Sequence, residues 1–202
     1  MPEYLELYEN VKSESESEGI IVTETALLEI KKKGAGLEGG IGFLEINQSN
    51  DEVSNIWIDS SESAEMKLRI ILHEFGHCKY YKTLGYFDMQ KAIAKNDLKF
   101  KTENEYEAHK FQLERTKEIV ETNGDIQFLK TTLTNFKAKL VGQSKEYKPA
   151  IEQLMSENIW SECNLLVEKF ESLKECSLED KPNELKEEVE NPPSENKSNQ
   201  ES

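Results

Sequence analysis

The centre of this chain is the stretch DSSESAEMKLRIILHEFGHCKYY, residues 59–81. It opens with Asp59, followed three residues later by Glu62, a spacing typical of a helix start, so we predict Asp59 as the N-cap. Apolar residues then recur at helical spacing: Ala64, Leu68, Ile71, Leu72 and Phe75. This pattern predicts one helix that reaches about Tyr81 and is buried along one side.

The same helix carries two of the three histidines of the chain, in the pentapeptide His73-Glu74-Phe75-Gly76-His77. Side chains at i and i+4 lie on one face of a helix about 6 Å apart, so both imidazoles can bind one metal ion. Glu74 lies about 100° round the helix, from where its carboxylate can reach a water on that metal. This is the arrangement of a zinc hydrolase. The alternative is a surface helix with two solvated histidines.

Gly76 is an unusual residue for the middle of this helix. A glycine costs about 1 kcal/mol in a helix interior relative to alanine. We therefore expect another part of the chain to approach the backbone closely at Gly76.

A third metal ligand is expected in Glu103-Asn104-Glu105-Tyr106-Glu107-Ala108-His109, because a catalytic zinc usually has three protein ligands and an open position for water. Glu105 follows His77 by 105 − 77 = 28 residues, enough for one helix to end and a second to lie across it. Glu105 and His109 are i and i+4, and either can bind the metal. If Glu105 binds it, His109 can hydrogen-bond a ligand side chain. The spacing alone does not decide between Glu105 and His109 as the third ligand.

The residues before this helix predict about three strands of a small antiparallel sheet. The strand-like segments are residues 20–23, 41–46 and 55–59, and residues 26–28 between the first two can turn helical. Residues 4–12 are weakly helical, and the alternating Ser and Glu of residues 13–18 predict a loop. The glycines Gly34, Gly36 and Gly39 fit the dinucleotide-binding pattern GxGxxG, but a strand rather than a helix follows, which favours an ordinary turn.

The residues after Gly85 predict a helical C-terminal half. Apolar positions mark one helix through Ala108, Phe111 and Ile119, a second over residues 126–140, and a third, longer one over residues 151–173. We therefore expect an α+β protein in three parts. Residues 1–122 form the catalytic unit with the metal site, residues 123–176 a helical extension packing on it, and residues 177–202 a disordered acidic tail.

Composition narrows the range of partners. The 202 residues include 25 Lys or Arg and 40 Asp or Glu, so the net charge is 25 − 40 = −15. Such a chain is repelled by nucleic acids and by anionic membrane surfaces. No apolar run approaches the roughly 20 residues of a membrane span, and the first residues do not resemble a secretion signal. We expect a cytoplasmic protein whose three cysteines are free thiols.

The two motifs together resemble the ImmA/IrrE family of zinc metallopeptidases. They are Leu72-His73-Glu74-Phe75-Gly76-His77 and Glu105-Tyr106-Glu107-Ala108-His109-Lys110-Phe111, and the second motif of the family reads approximately E-x-x-A-N-x-F. The preceding short strands and polar helix cap are also similar, and the resemblance covers roughly residues 20–118. It implies His73, His77 and Glu105 as zinc ligands and Glu74 as the general base that activates a zinc-bound water.

The chain departs from the family pattern in two places. His109 replaces the usual Asn, which leaves open a histidine ligand or a different hydrogen bond to the site. Residues 112–115 read QLER, where the family continues into an apolar stretch, so the C-terminal helices and the substrate are expected to differ.

The resemblance also implies a substrate class. Family members act on regulatory proteins such as helix-turn-helix repressors, frequently in mobile elements, phage or stress responses. A peptide substrate commonly pairs with an exposed strand edge, and residues 55–59 are predicted to supply it. An oxyanion donor is expected among Tyr80, Tyr81, Tyr106 and His109. The alternative function is a non-catalytic regulatory or toxin-antitoxin-type binding protein that retains the fold.

Overall fold

A computed structural model describes residues 4–33, 42–47, 52–142 and 145–179 of the chain. Within these ranges the protein is a mixed α+β fold, with eight helices and three strands. The elements in chain order are α1 (Tyr4–Ser17), β1 (Ile21–Thr25), α2 (Leu27–Lys33), β2 (Gly42–Asn47), β3 (Glu52–Asp59), α3 (Ala64–Leu84), α4 (Tyr86–Ala94), α5 (Leu98–Asn123), α6 (Ile126–Lys139), α7 (Tyr147–Met155) and α8 (Asn158–Glu179).

The sheet is mixed, with strand order β1-β3-β2. Strand β2 pairs antiparallel with β3, but β1 pairs with β3 in parallel, from Ile21 opposite Asn55 to Thr25 opposite Asp59. The prediction of an antiparallel sheet was therefore wrong for β1. Parallel pairing requires a crossover, and α2 with β2 provides the chain length for it. The predicted substrate edge at residues 55–59 was also wrong, because β3 is the central strand.

Helix α3 is the central helix of the fold and packs against α1, α5 and the sheet. Its N-cap is Ser63, whose hydroxyl accepts a hydrogen bond from the Met66 amide. Asp59, the predicted N-cap, instead accepts hydrogen bonds from the Ser61 amide and hydroxyl, at 3.0 and 2.9 Å. The prediction of burial along one side was wrong, because the surrounding elements also cover Arg69, Ile70 and Cys78.

The predicted loop at residues 13–18 is instead mostly helical, since α1 continues to Ser17. Its acidic residues are held by cations of the neighbouring helices. Arg115 pairs with Glu14 at 2.6 Å, and Lys82 pairs with Glu18 at 3.0 Å. These ion pairs stabilise a segment whose own composition does not favour burial.

The C-terminal half is helical, as predicted, and α6, α7 and α8 all contact α5. The long helix predicted over residues 151–173 is two helices, because α7 ends at Met155 and α8 begins at Asn158. Helix α8 extends to Glu179, inside the predicted tail. Residues 180–202 and the glycine pattern at residues 34–39 lie outside the described ranges. The division into three parts stays a prediction.

Two further expectations concern cysteines and membranes. Cys78 and Cys163 are free and buried, as expected for reduced thiols. None of the helices in the described ranges combines the length and the hydropathy that a membrane span requires.

Candidate metal centre

The candidate site forms where helices α3 and α5 cross at Gly76. A Cβ atom added to Gly76 would lie 2.8 Å from the Ala108 Cα, 2.9 Å from the Ala108 carbonyl oxygen and 3.2 Å from the Phe111 Cβ. The two backbones are therefore in direct contact, as expected from a glycine in the helix interior. This contact places the ligand candidates of α3 opposite those of α5.

Three side chains converge beside this crossing. The Nε2 atoms of His73 and His77 are 3.1 Å apart. One Glu105 carboxylate oxygen lies 3.6 Å from the His73 Nε2, and the other lies 3.8 Å from the His77 Nε2. One potential ligand atom from each residue falls within 4.8 Å of the others, so His73, His77 and Glu105 could hold a metal ion.

The polar atoms of this cluster fit a bound cation. Glu105 Oε2 and His73 Nδ1 are buried without a hydrogen-bond partner, which is costly for a polar atom unless a ligand or water completes it. Two imidazoles and a carboxylate are ligands of Zn²⁺ and of other transition metals. The geometry therefore supports a metal site without identifying the metal.

The protonation of these groups also suits a metal. Burial lowers the pKa of His73 and of His77, which favours the neutral imidazoles that bind metal ions. Burial raises the pKa of Glu105 to about 7. A divalent cation beside Glu105 would stabilise its carboxylate form.

His77 is oriented by a hydrogen bond that the sequence analysis missed. Its Nδ1 lies 3.0 Å from the Asn104 side-chain oxygen, and the Asn104 amide donates to the Tyr81 hydroxyl at 3.1 Å. The Tyr81 ring also stacks on the His77 ring. Because an amide oxygen can only accept, His77 carries its proton on Nδ1 and presents the lone pair of Nε2 to the metal position. Only the position of Asn104 directly before Glu105 hinted at this role.

His109 is fully buried, and both of its ring nitrogens have partners. Its Nδ1 donates to the Glu105 backbone oxygen at 2.5 Å, and its Nε2 lies 2.6 Å from the Lys139 ammonium. The His109 ring also contacts the edge of the His73 ring, with centroids 4.6 Å apart. This geometry favours Glu105 as the third ligand and His109 as a residue that supports it.

Glu74 lies beside the cluster with its carboxylate uncommitted. It is partly exposed, and its side chain makes no hydrogen bond or ion pair with any residue in the described ranges. Burial raises the pKa of Glu74, which makes its carboxylate a stronger base. A carboxylate in this state is suited to accept a proton from water.

No protein-family model matches this chain, and searches of curated proteins and of solved structures find no match either. The resemblance to the ImmA/IrrE family therefore rests on the motif residues alone and stays a prediction.

Proposed function

We propose that this protein is a zinc-dependent metallopeptidase of the ImmA/IrrE type. One observation carries the proposal: His73, His77 and Glu105 converge on one point while the Glu74 carboxylate lies uncommitted beside them. A purely structural metal site needs no such neighbouring base. The presence of Glu74 is therefore the main argument against a binding protein that only retains the fold.

Each residue has a defined part in the proposed hydrolysis. The ligand set would be His73, His77 and Glu105, and a bound zinc ion would supply a Lewis acid that polarises a peptide carbonyl and acidifies water. Glu74 takes a proton from the attacking water and delivers it to the leaving amine. Asn104 keeps His77 in the tautomer that leaves its Nε2 available.

The proposed substrate is a regulatory protein such as a helix-turn-helix repressor, cleaved at a specific site in the cytoplasm. The family resemblance supports this substrate class. Strand β2 offers a place for an extended peptide, because among the described residues it pairs only with β3 and it also contacts α3. The strongly negative chain is unsuited to bind DNA directly, so a regulatory effect would act through the cleaved protein.

Metal content tests the ligand set. Elemental analysis should find about one zinc per chain in the parent protein, as expected for a site with three protein ligands. The His73→Ala and Glu105→Ala variants should lose the metal, and His109→Ala should retain it. A parent chain that takes up no zinc after incubation with the ion would favour the regulatory or toxin-antitoxin-type binding protein.

Hydrolysis tests the role of Glu74. The Glu74→Gln variant keeps the shape of the side chain but removes the base, so it should bind zinc normally and fail to cleave. The assay is cleavage of a panel of helix-turn-helix repressors, followed by mass spectrometry with and without a chelator. Cleavage by Glu74→Gln at the parent rate would refute the proposed mechanism.

A further inference from the structure

Lys139, the last residue of α6, extends into the candidate site from the helical C-terminal half. Its ammonium lies 2.6 Å from the His109 Nε2 and 4.7 Å from the centre of the Tyr147 ring. His109 in turn contacts His73. Helix α6 therefore brings a cation to the metal-binding side chains.

Burial lowers the pKa of Lys139, an effect that the charges of Glu105 and Glu74 oppose. Among the described residues this ammonium lacks the usual partner, a carboxylate in ion-pair contact. An ammonium has three N–H donors, and in the described part of the chain its only hydrogen bond goes to the uncharged ring of His109. No carboxylate in the described ranges lies within 4.0 Å of it, in contrast to Lys67, Lys79 and Lys82 around the same helix α3. Two of its N–H donors therefore have no hydrogen-bond acceptor among the residues that the structure describes.

The charge of Lys139 reaches the whole cluster. Burial raises the pKa of Glu74 and of Glu105, and the charge of Lys139 opposes that rise; burial lowers the pKa of all three histidines, and the charge of Lys139 adds to that fall. Such a cation weakens the binding of a second cation by repulsion unless an anion lies between them.

A count of charges shows that the metal-loaded site would carry a net positive charge, which favours binding of an anion. A divalent metal and Lys139 together carry three positive charges, against two negative charges from Glu74 and Glu105, so one positive charge remains. When Glu74 takes a proton from water, its negative charge passes to the hydroxide and then to the attacked carbonyl oxygen, so the net charge of the site is unchanged while the negative charge moves to that oxygen. This is the moment of peptide hydrolysis at which negative charge develops on the carbonyl oxygen.

Two of the four side chains expected from sequence to stabilise that oxygen, Tyr106 and His109, already have their donors in use. Tyr106 donates to Glu157 at 2.9 Å, whereas Tyr81 accepts a hydrogen bond from Asn104 and keeps its own O–H donor. Tyr80 lies against the ring of Phe100. The fourth candidate, His109, has both ring nitrogens occupied.

We propose that Lys139 donates a hydrogen bond to the negatively charged oxygen that develops on the scissile carbonyl, so that helix α6 completes the active site. This inference rests on the proposed peptidase function. It makes the C-terminal half part of the catalytic machinery rather than only a cover.

Binding of inorganic phosphate, a tetrahedral oxyanion, to the zinc-loaded full chain tests the proposal. Lys139→Met removes the charge at nearly constant size, Lys139→Arg retains it, and Lys137→Met is the matched control in the same helical turn. Loss of one charge-assisted hydrogen bond should weaken phosphate binding about tenfold or more in Lys139→Met. Lys139→Arg should recover much of the affinity, and Lys137→Met should match the parent. Isothermal titration measures phosphate binding, and a chelator competition measures zinc.

The outcomes separate this inference from the function on which it rests. Zinc affinity in Lys139→Met should be unchanged or higher, because a neighbouring positive charge has been removed. Loss of zinc or of folding in that variant would show a structural role and overturn the inference. Equal phosphate binding by parent and Lys139→Met, or no phosphate binding by the zinc-loaded parent, would overturn it while leaving the metallopeptidase intact. A parent that binds no zinc overturns both.

Discussion

Replacing Gly76 by alanine perturbs the contact on which the metal site depends. The added Cβ would meet the Ala108 Cα at 2.8 Å and the Ala108 carbonyl oxygen at 2.9 Å. Non-bonded carbon atoms are most favourable at about 3.5–4.0 Å, so the two helices must separate by roughly 0.7 Å. Both obstructing atoms belong to the backbone, so no side-chain rotation can relieve the clash.

Two opposing terms set the size of the effect. Alanine is favoured over glycine in a helix interior by about 1 kcal/mol. Overpacking costs about 1–3 kcal/mol, and a clash between backbones belongs at the upper end of that range. We therefore expect Gly76→Ala to lower the free energy of unfolding by about 1–2 kcal/mol.

The same separation should weaken metal binding. Gly76 lies between the two histidines of α3, and Ala108 lies one turn after Glu105 on α5, so a shift between the helices moves the carboxylate relative to the imidazoles. Ligand positions must be held within about 0.5 Å for productive binding. Zinc affinity should therefore fall by about tenfold or more, given a shift of roughly 0.7 Å.

Urea unfolding of the metal-free protein and zinc competition with a chromophoric chelator measure the two effects. Gly142→Ala is the control, since its Cβ would lie 3.4 Å from the nearest described atom, the Lys139 carbonyl oxygen. A Gly76→Ala protein as stable as the parent, with the same zinc affinity, would refute the argument that this backbone contact sets the ligand spacing.

Three further predictions concern residues around the site and the core. Asn104→Leu should reduce zinc affinity about 10- to 100-fold, because the second histidine of the motif loses its orienting hydrogen bond, and should lower the free energy of unfolding by about 1–3 kcal/mol, because the buried Nδ1–H of that histidine is left without an acceptor; chelator competition would measure the affinity, and unchanged affinity would contradict the prediction. Arg69→Met should lower the free energy of unfolding by roughly 2–4 kcal/mol, since this buried guanidinium joins α3 to α6 through the backbone oxygen of residue 128; urea unfolding would measure it, and a loss below about 1 kcal/mol would contradict it. Burial raises the pKa of Glu24, but hydrogen bonds from Lys67 and Tyr8 outweigh it and lower the pKa below its ordinary value of 4.5. The carboxylate therefore stabilises the fold above about pH 4.5 and loses this effect as the pH falls through its lower folded pKa, so the stability difference between parent and Glu24→Gln should shrink in acid. A difference independent of pH would refute this assignment.

The helical half of the protein could be predicted because its signal is local. Apolar residues at helical spacing mark α3, α5 and α6, and a helix buries the residues that its period brings to one face. The break between α7 and α8 was missed, because neither Ser156 nor Glu157 is a strong helix breaker. The continuation of α1 to Ser17 was missed for a different reason: Glu14 in its last turns and Glu18 just after it pair with Arg115, Lys79 and Lys82, which are distant in sequence.

Strand pairing could not be predicted from the sequence. The strand-like segments were recognised by their β-branched residues, but which strands pair, and in which direction, depends on the path of the chain between them. The parallel pairing of β1 with β3 removed residues 55–59 from the sheet edge, and with them the predicted position of a peptide substrate.

The residues of the candidate metal site also fall into two groups, those placed by local sequence and those placed by helix packing. His73, Glu74, Gly76 and His77 are placed by the period of a single helix. The sequence by itself therefore determined that the two histidines share a face, that Glu74 lies beside it, and that another backbone approaches closely at the glycine. The rest depends on how separate helices pack. Only the tertiary structure brought Glu105 to the imidazoles, placed Asn104 behind His77, and turned Lys139 into the site, because contacts between residues 27 to 32 positions apart follow from helix packing rather than from local periodicity.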